Sequence, residues 1–383
     1  MKKTALSLLL PLVCAVAAGV VACSDLQVGE AQTTTTLELT TTTTVFVPTT
    51  ATTVAETSRP NDWDKLDPAG EPQPRARHAM VYDPATQKVI LFGGFNVSNT
   101  ALSDVQTYDS ATNTWTELSP SGPAPEARGG HAMVYDTYGQ QVILFGGQTS
   151  QAGFNDTWVY DPVVESWTQL NPAGELPPAR AEHAMAFDPH TRKVVVFGGY
   201  AGGSTSLDDT WVYDLATNSW TEMAFDHTQP LPSARSRHAM VYDPANDRAV
   251  LFGGFEQDGT VLDDIWTYDV TANIWKRYYA RGHEIYERGD MAMVYHPGCS
   301  SIVMFGGQNG RQSGTGSVWN YPNALFAYDV TSNSWAKVIS ADRTPYGRSG
   351  HAMVYDSDTG TIIMFGGEDY EHGLHSGTWT LEP

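Results

Sequence analysis

One six-residue phrase recurs along the chain and leaves little choice of architecture. His-Ala-Met-Val-Tyr-Asp stands at 78–83, 131–136, 238–243 and 351–356. A variant, His-Ala-Met-Ala-Phe-Asp, occupies 183–188, and a worn copy, Met-Ala-Met-Val-Tyr-His, occupies 291–296. A Gly-Gly pair follows each, at 93–94, 146–147, 198–199, 253–254, 306–307 and 366–367. A period of about 50–60 residues points to stacked supersecondary units, none of which can bury its apolar face alone.

Each unit reads as four strands. In the first, 79–83 is followed by the continuous apolar run 88–92, then by 105–109 and 114–118. Runs rich in Val, Ile, Tyr and Trp between Gly, Pro, Asp and Asn are the strand signature. Pro-rich linkers such as 119–125 exclude helix, and no stretch keeps a helical period. A second spacing lies inside the unit. Tyr108 and Trp115 are seven apart, as are Tyr160 and Trp167, Tyr213 and Trp220, Tyr268 and Trp275, and Tyr328 and Trp335. With the Gly-Gly pair ending the second strand, this pattern resembles the kelch-repeat family over about residues 61–383. The resemblance implies an all-β, six-bladed propeller with four-stranded blades at 78–118, 131–170, 183–223, 238–279, 291–338 and 351–383. The last unit lacks an outer strand, whereas the segment starting at Trp63 matches a fourth strand with no preceding three. Residues 61–66 are therefore expected to complete the last blade and close the ring.

The N-terminus reads as targeting sequence. Lys2 and Lys3 precede a short apolar run, and Val20-Val21-Ala22-Cys23 resembles the bacterial lipoprotein signal. Residues 1–22 are then a signal peptide and Cys23 the lipidated residue. The Thr-rich segment 23–60 has too little apolar content to offset ordering entropy and reads as a stalk. The expected location is outside the cytoplasmic membrane, at the cell surface or a periplasmic membrane face, with lipid as the sole membrane contact. A formal charge of −21, from 43 acidic and 22 basic side chains, argues against nucleic acid. Cys299 is alone in the folded part, so no internal disulfide forms there.

Turns after the first and third strands are short; the other two connections are long and share one end of the ring. That end is the expected binding face. Six Arg stand near its centre: Arg75, Arg128, Arg180, Arg235, Arg288 and Arg348. They form either a cationic funnel for a carboxylate, sulfate or phosphate, or locks that bond loop carbonyls and Asp side chains. Their occurrence in every unit favours locks. His78, His131, His183, His238 and His351 suggest a metal ring, but equivalent positions in separate blades lie too far apart for one ion. Neither they nor the Asp208-Asp209 and Asp263-Asp264 pairs make a metal site, and no cofactor is expected. Blades five and six break the repeat most. Their loops carry Tyr286, Arg311, Trp319, Tyr321, Tyr346, Tyr370 and His372, which join Arg288 and Arg348 as the candidate ligand-binding residues.

The reading that follows is a non-catalytic module that binds an extracellular or envelope protein, or a glycan. The alternative is a sugar-active enzyme such as a sialic-acid mutarotase similar to N-acetylneuraminate epimerase. Galactose oxidase also has kelch repeats, but its copper site needs a Cys joined to Tyr, and Cys299 lies on a short turn at the wrong end. No catalytic residue is assigned.

Overall fold

The computed structural model describes residues 62–382 apart from 203–204, 227, 283–284, 314–315 and 341–342; side chains are described outside 311–319. Residues 1–61, with the signal segment, Cys23 and the stalk, lie outside the described residues. The described chain is all strand and loop, and none of it forms a helix long and apolar enough to cross a membrane.

Six antiparallel sheets form the blades. Blade one pairs Ala79–Asp83, Lys88–Phe92, Val105–Asp109 and Thr114–Leu118 in chain order. Blades two to four repeat this order, and blade five adds a two-residue parallel strand, Arg281–Gly282, at its outer edge. Blade six takes its outer strand from the other end of the fold: Trp63–Lys65 pairs with Thr378–Leu381, Trp63 opposite Leu381. The ring is thus closed by hydrogen bonds between the two ends of the propeller.

Second strands such as Lys88–Phe92 bury four of five residues because both faces meet neighbouring blades, which explains their continuous apolar sequence. The Tyr and Trp spaced seven apart fall opposite each other on strands three and four and pack tilted, as Tyr108 and Trp115 do at 5.1 Å. Each Trp then crosses to the preceding blade. Trp167 meets Phe92 and Trp220 meets Phe145. The indole N–H donates to a Thr hydroxyl of that blade where one exists, as from Trp115 to Thr378 and from Trp220 to Thr157. Blade one offers Val105 at that place, and Trp167 Nε1 is left without a partner. Tyr108, Tyr213, Tyr268 and Tyr328 donate to the Asn five residues on, in the short turn.

Both glycines of each Gly-Gly pair have positive φ, and a Cβ on Gly94 would stand 2.8 Å from the Ala76 carbonyl. Backbone conformation and close approach both require glycine there. The longest of the loops that carry the candidate residues, 308–325, contains a hairpin of Asn309–Ser313 with Gly316–Asn320. Its polar, Gly-rich sequence carries no alternating apolar pattern, so the pairing left no periodic trace.

Candidate functional site

The long connections gather at one end of the ring, and the six repeated Arg lie beneath them. They do not line the channel. Their exposure is 0–2%, and each places Nη1 on the carbonyl of the first glycine of its own blade's pair, from Arg75 to Gly93 at 2.9 Å through Arg348 to Gly366 at 2.9 Å. In blades one to four the guanidinium also holds an Asp bidentately. Arg75 grips Asp104, Arg128 grips Asp156, Arg180 grips Asp209 and Arg235 grips Asp264, at 2.5–2.9 Å. The lock reading holds for these four. Asp209 and Asp264, each just before a third strand, supply the carboxylates of two of these locks. Burial alone would raise the Asp104, Asp156 and Asp264 carboxyls, but hydrogen bonds from the Arg groups hold them below the usual range.

The channel mouth belongs to the residue just before each repeated His or Met: Arg77, Gly130, Glu182, Arg237, Asp290 and Gly350. All six have positive φ. Their backbones form a closed girdle, in which each N–H donates to the carbonyl of the preceding blade's equivalent at 2.7–2.9 Å. The four charged side chains among them, Arg77, Glu182, Arg237 and Asp290, converge across the opening. Arg77 lies 3.4 Å from Glu182, 3.9 Å from Asp290 and 3.1 Å from Glu368, and Arg237 lies 3.8 Å from Glu182. Glu182 pushes the Arg77 pKa up against the opposing effect of burial. Burial raises the Glu368 carboxyl, Arg77 opposes the rise, and Asp290 adds to it. Sequence reading missed this group because it followed the constant positions. The signal was there: a position charged in four of six units, just before the repeated His or Met of the Arg-x-x-His frame.

Beneath the girdle the five His are 94% buried, and no three of them bring ring nitrogens within 4.8 Å of one another. Each sits edge-on to the Phe that ends the preceding blade's second strand, as His131 does to Phe92 and His351 to Phe305. Burial, reinforced by the neighbouring Arg, lowers His131, His238 and His351 to about 3. The same causes take His78 and His183 well below the ordinary range. The Phe carbonyl is near enough to oppose this drop, but it is not aligned for a hydrogen bond. These are neutral wedges between blades. A trio with metal-ligand types, Asp188, His190 and Asp247, occurs elsewhere on short turns, where Asp188 already accepts the His190 and Thr191 amides.

Blades five and six hold the remaining candidates. Tyr286, Tyr346 and Tyr370 are 59, 63 and 87% exposed. Tyr346 stacks on His372 at 4.3 Å between ring centroids. His372 and His375 both approach Asp369, at 3.1 and 2.7 Å. Burial would raise the Asp369 carboxyl, but hydrogen bonds from the His372 amide and both rings hold it low. Tyr321 is half-buried, and burial next to Glu368 and Asp290 pushes its phenol up. Arg311 and Trp319 lie on the two hairpin strands, opposite Val318 and Gly310, with side chains outside the described set. Arg288 and Arg348 are buried below these loops at 1 and 2% exposure. The structure therefore brings Tyr346 and His372 into contact and sets Arg348 under them, with Tyr286 and Arg288 on the adjacent blade.

Comparison with known proteins agrees with this geometry. Residues 41–243 match the family model described as the KLHDC2/KLHL20/DRC7 Kelch-repeats domain, and 194–379 match the Attractin/LZTR1 beta-propeller. An F-box/kelch-repeat protein of Arabidopsis thaliana is 28% identical over 81% of this chain and 69% of its own length. Mei4-dependent protein 6 of Schizosaccharomyces pombe is 28% identical over 48% of this chain, which spans 28% of that relative. Acyl-CoA-binding domain-containing protein 4 of Arabidopsis thaliana is 28% identical over 62% of this chain and 35% of its own length. With half of its length matched by a kelch model, and with blades, glycine pairs and Tyr–Trp pairs all in place, the chain belongs to the kelch-repeat β-propeller family.

Proposed function

We propose that this propeller is a non-catalytic module that holds a protein partner through the long-loop face of blades five and six. One observation carries the reading: three tyrosines, 59–87% exposed, stand on adjacent blades of the face where the long connections gather. Exposed aromatics on a rigid scaffold supply contact area at small ordering cost, and they are enriched where binding energy concentrates. The kelch fold itself points to protein interaction. The test compares the mature chain with a Tyr286→Ala, Tyr346→Ala, Tyr370→Ala variant as bait for envelope and medium proteins. Capture is expected to fall at least tenfold in the variant at unchanged melting temperature. Partners retained in full by the variant would remove the site from these blades.

The sequence at Cys23 supports the second half of the proposal, that the protein is exported and lipid-anchored. Cys23→Ser is expected to abolish metabolic labelling with a fatty acid and to release the protein from the membrane fraction. A Cys23→Ser protein that stays membrane-bound would refute the anchor.

A further inference from the structure

The internal repeat shows what each buried guanidinium requires and where it is missing. Four of the six ring arginines are neutralised by an Asp at the residue before the third strand. In blade five that residue is Ala324, and in blade six Gly377. Arg288 places Nε on the Tyr286 carbonyl and Nη1 on the Gly306 carbonyl, and no carboxylate is hydrogen-bonded to it among the described residues; the adjacent Glu287 acts on it only through space. Phe326 lies against its guanidinium at 5.1 Å, where blades two to four place an indole that donates to the Asp. Blade five has therefore lost both the carboxylate and the donor that oriented it. Arg348 keeps the equivalent two carbonyls and likewise has no Asp before the third strand; Asp369 acts on it through space as Glu287 acts on Arg288. Burial lowers Arg288 to about 10 against the opposing effect of the adjacent Glu287.

We propose that the outer edge of Arg288 is a receptor for a carboxylate group supplied by the binding partner. It would be seated as Asp264 is seated on Arg235 one blade earlier. In blades one to four the Asp carboxylates at this position are 9–20% exposed, so a group seated there can be reached from solvent. Next to Ala324 a groove of about 690 Å³ runs along Leu325 and Val338 to Trp63. The exposed Tyr286, two residues before Arg288, marks the same rim. A desolvated, bidentate guanidinium–carboxylate contact fixes orientation as well as affinity. It also suits a protein of charge −21, which repels acidic partners at long range, because a buried contact is screened far less than that repulsion.

The inference rests on the long-loop face being a binding face, yet it can be tested without any partner. Full-length protein is titrated with sodium acetate against sodium chloride at constant ionic strength. Acetate is expected to shift the Arg288 Nε–H resonance saturably and to raise Tm by about 2 °C. Both responses should vanish in Ala324→Asp, which carries its own carboxylate. Ala324→Asp should also melt above Ala324→Asn, which has the same shape without the charge. Two further probes separate the sources: a glycyl-glycine free acid for a chain terminus, and N-acetyl-glutamyl amide for a side chain. Response to either supports the receptor and names the source. No shift with acetate or either probe, or equal melting of the Asp and Asn variants, overturns it. A captured partner lost in the tyrosine variant but kept by Ala324→Asp would leave the binding face intact and reject Arg288 as its contact.

Discussion

Changing Asp209 to Ala lowers the stability of the propeller by about 3–5 kcal/mol, seen as a fall in the urea midpoint at neutral pH. Arg180 is fully buried and spends both Nη atoms on this carboxylate, at 2.7 and 2.6 Å. Removing the Asp strands a guanidinium with only the Gly198 and Pro178 carbonyls for company, and it also orphans the Trp211 indole N–H at 2.8 Å. The loss is chiefly the penalty of an unpaired buried charge, so it should shrink when that charge goes as well. An Arg180→Met, Asp209→Leu double variant is expected to recover most of it. Blade five is the internal control. Arg288→Met removes a guanidinium that has no carboxylate to strand, and should cost clearly less than Arg180→Met. An Asp209→Ala protein within about 1 kcal/mol of the parent would mean that these locks contribute little and that their repetition has another cause.

The contrast between blades explains what the sequence made legible. The Gly pairs of all six blades, the Tyr–Trp spacing of five and the closing strand at Trp63 were readable because each is dictated by one backbone or packing requirement of the repeat. The Arg–Asp lock was half readable. The Arg is constant, but its Asp lies 28 or 29 residues on, across a connection of variable length, and nothing local tells the two to meet. The charged girdle went unread for the opposite reason. Arg77, Glu182, Arg237 and Asp290 are variable in identity and constant only in conformation, and a left-handed backbone leaves no mark on a non-glycine residue. Tyr286, Tyr346 and Tyr370 were legible as departures from the repeat. The stacking of Tyr346 on His372 was not, because it depends on how two irregular loops fold over each other.

Acid should unfold this protein between about pH 6 and pH 4, and the buried histidines are the reason. His131, His238 and His351 titrate at about 3 in the folded state, and His78 and His183 are also held far below the ordinary value. An unfolded histidine titrates at about 6.5. At pH 7 both states are neutral and the full stability is present. As the pH falls through 6.5 the unfolded chain takes up protons that the folded chain refuses. Stability is therefore lost progressively until the folded value near 3 is reached. With all five engaged, the slope approaches about 7 kcal/mol per pH unit. A domain holds a margin of only about 5–15 kcal/mol. His296 and His375, also lowered by burial, add to the same slope. The carboxylates of the Arg locks act in the same direction, but only below about pH 4, so the range from 6 to 4.5 isolates the histidines. His238→Gln, whose amide has no proton to take up, should reduce the proton uptake on unfolding in that range by about one. A propeller that keeps its near-ultraviolet circular dichroism to pH 4 would show that the wedges can charge in place, and so that the blades open at the channel without unfolding.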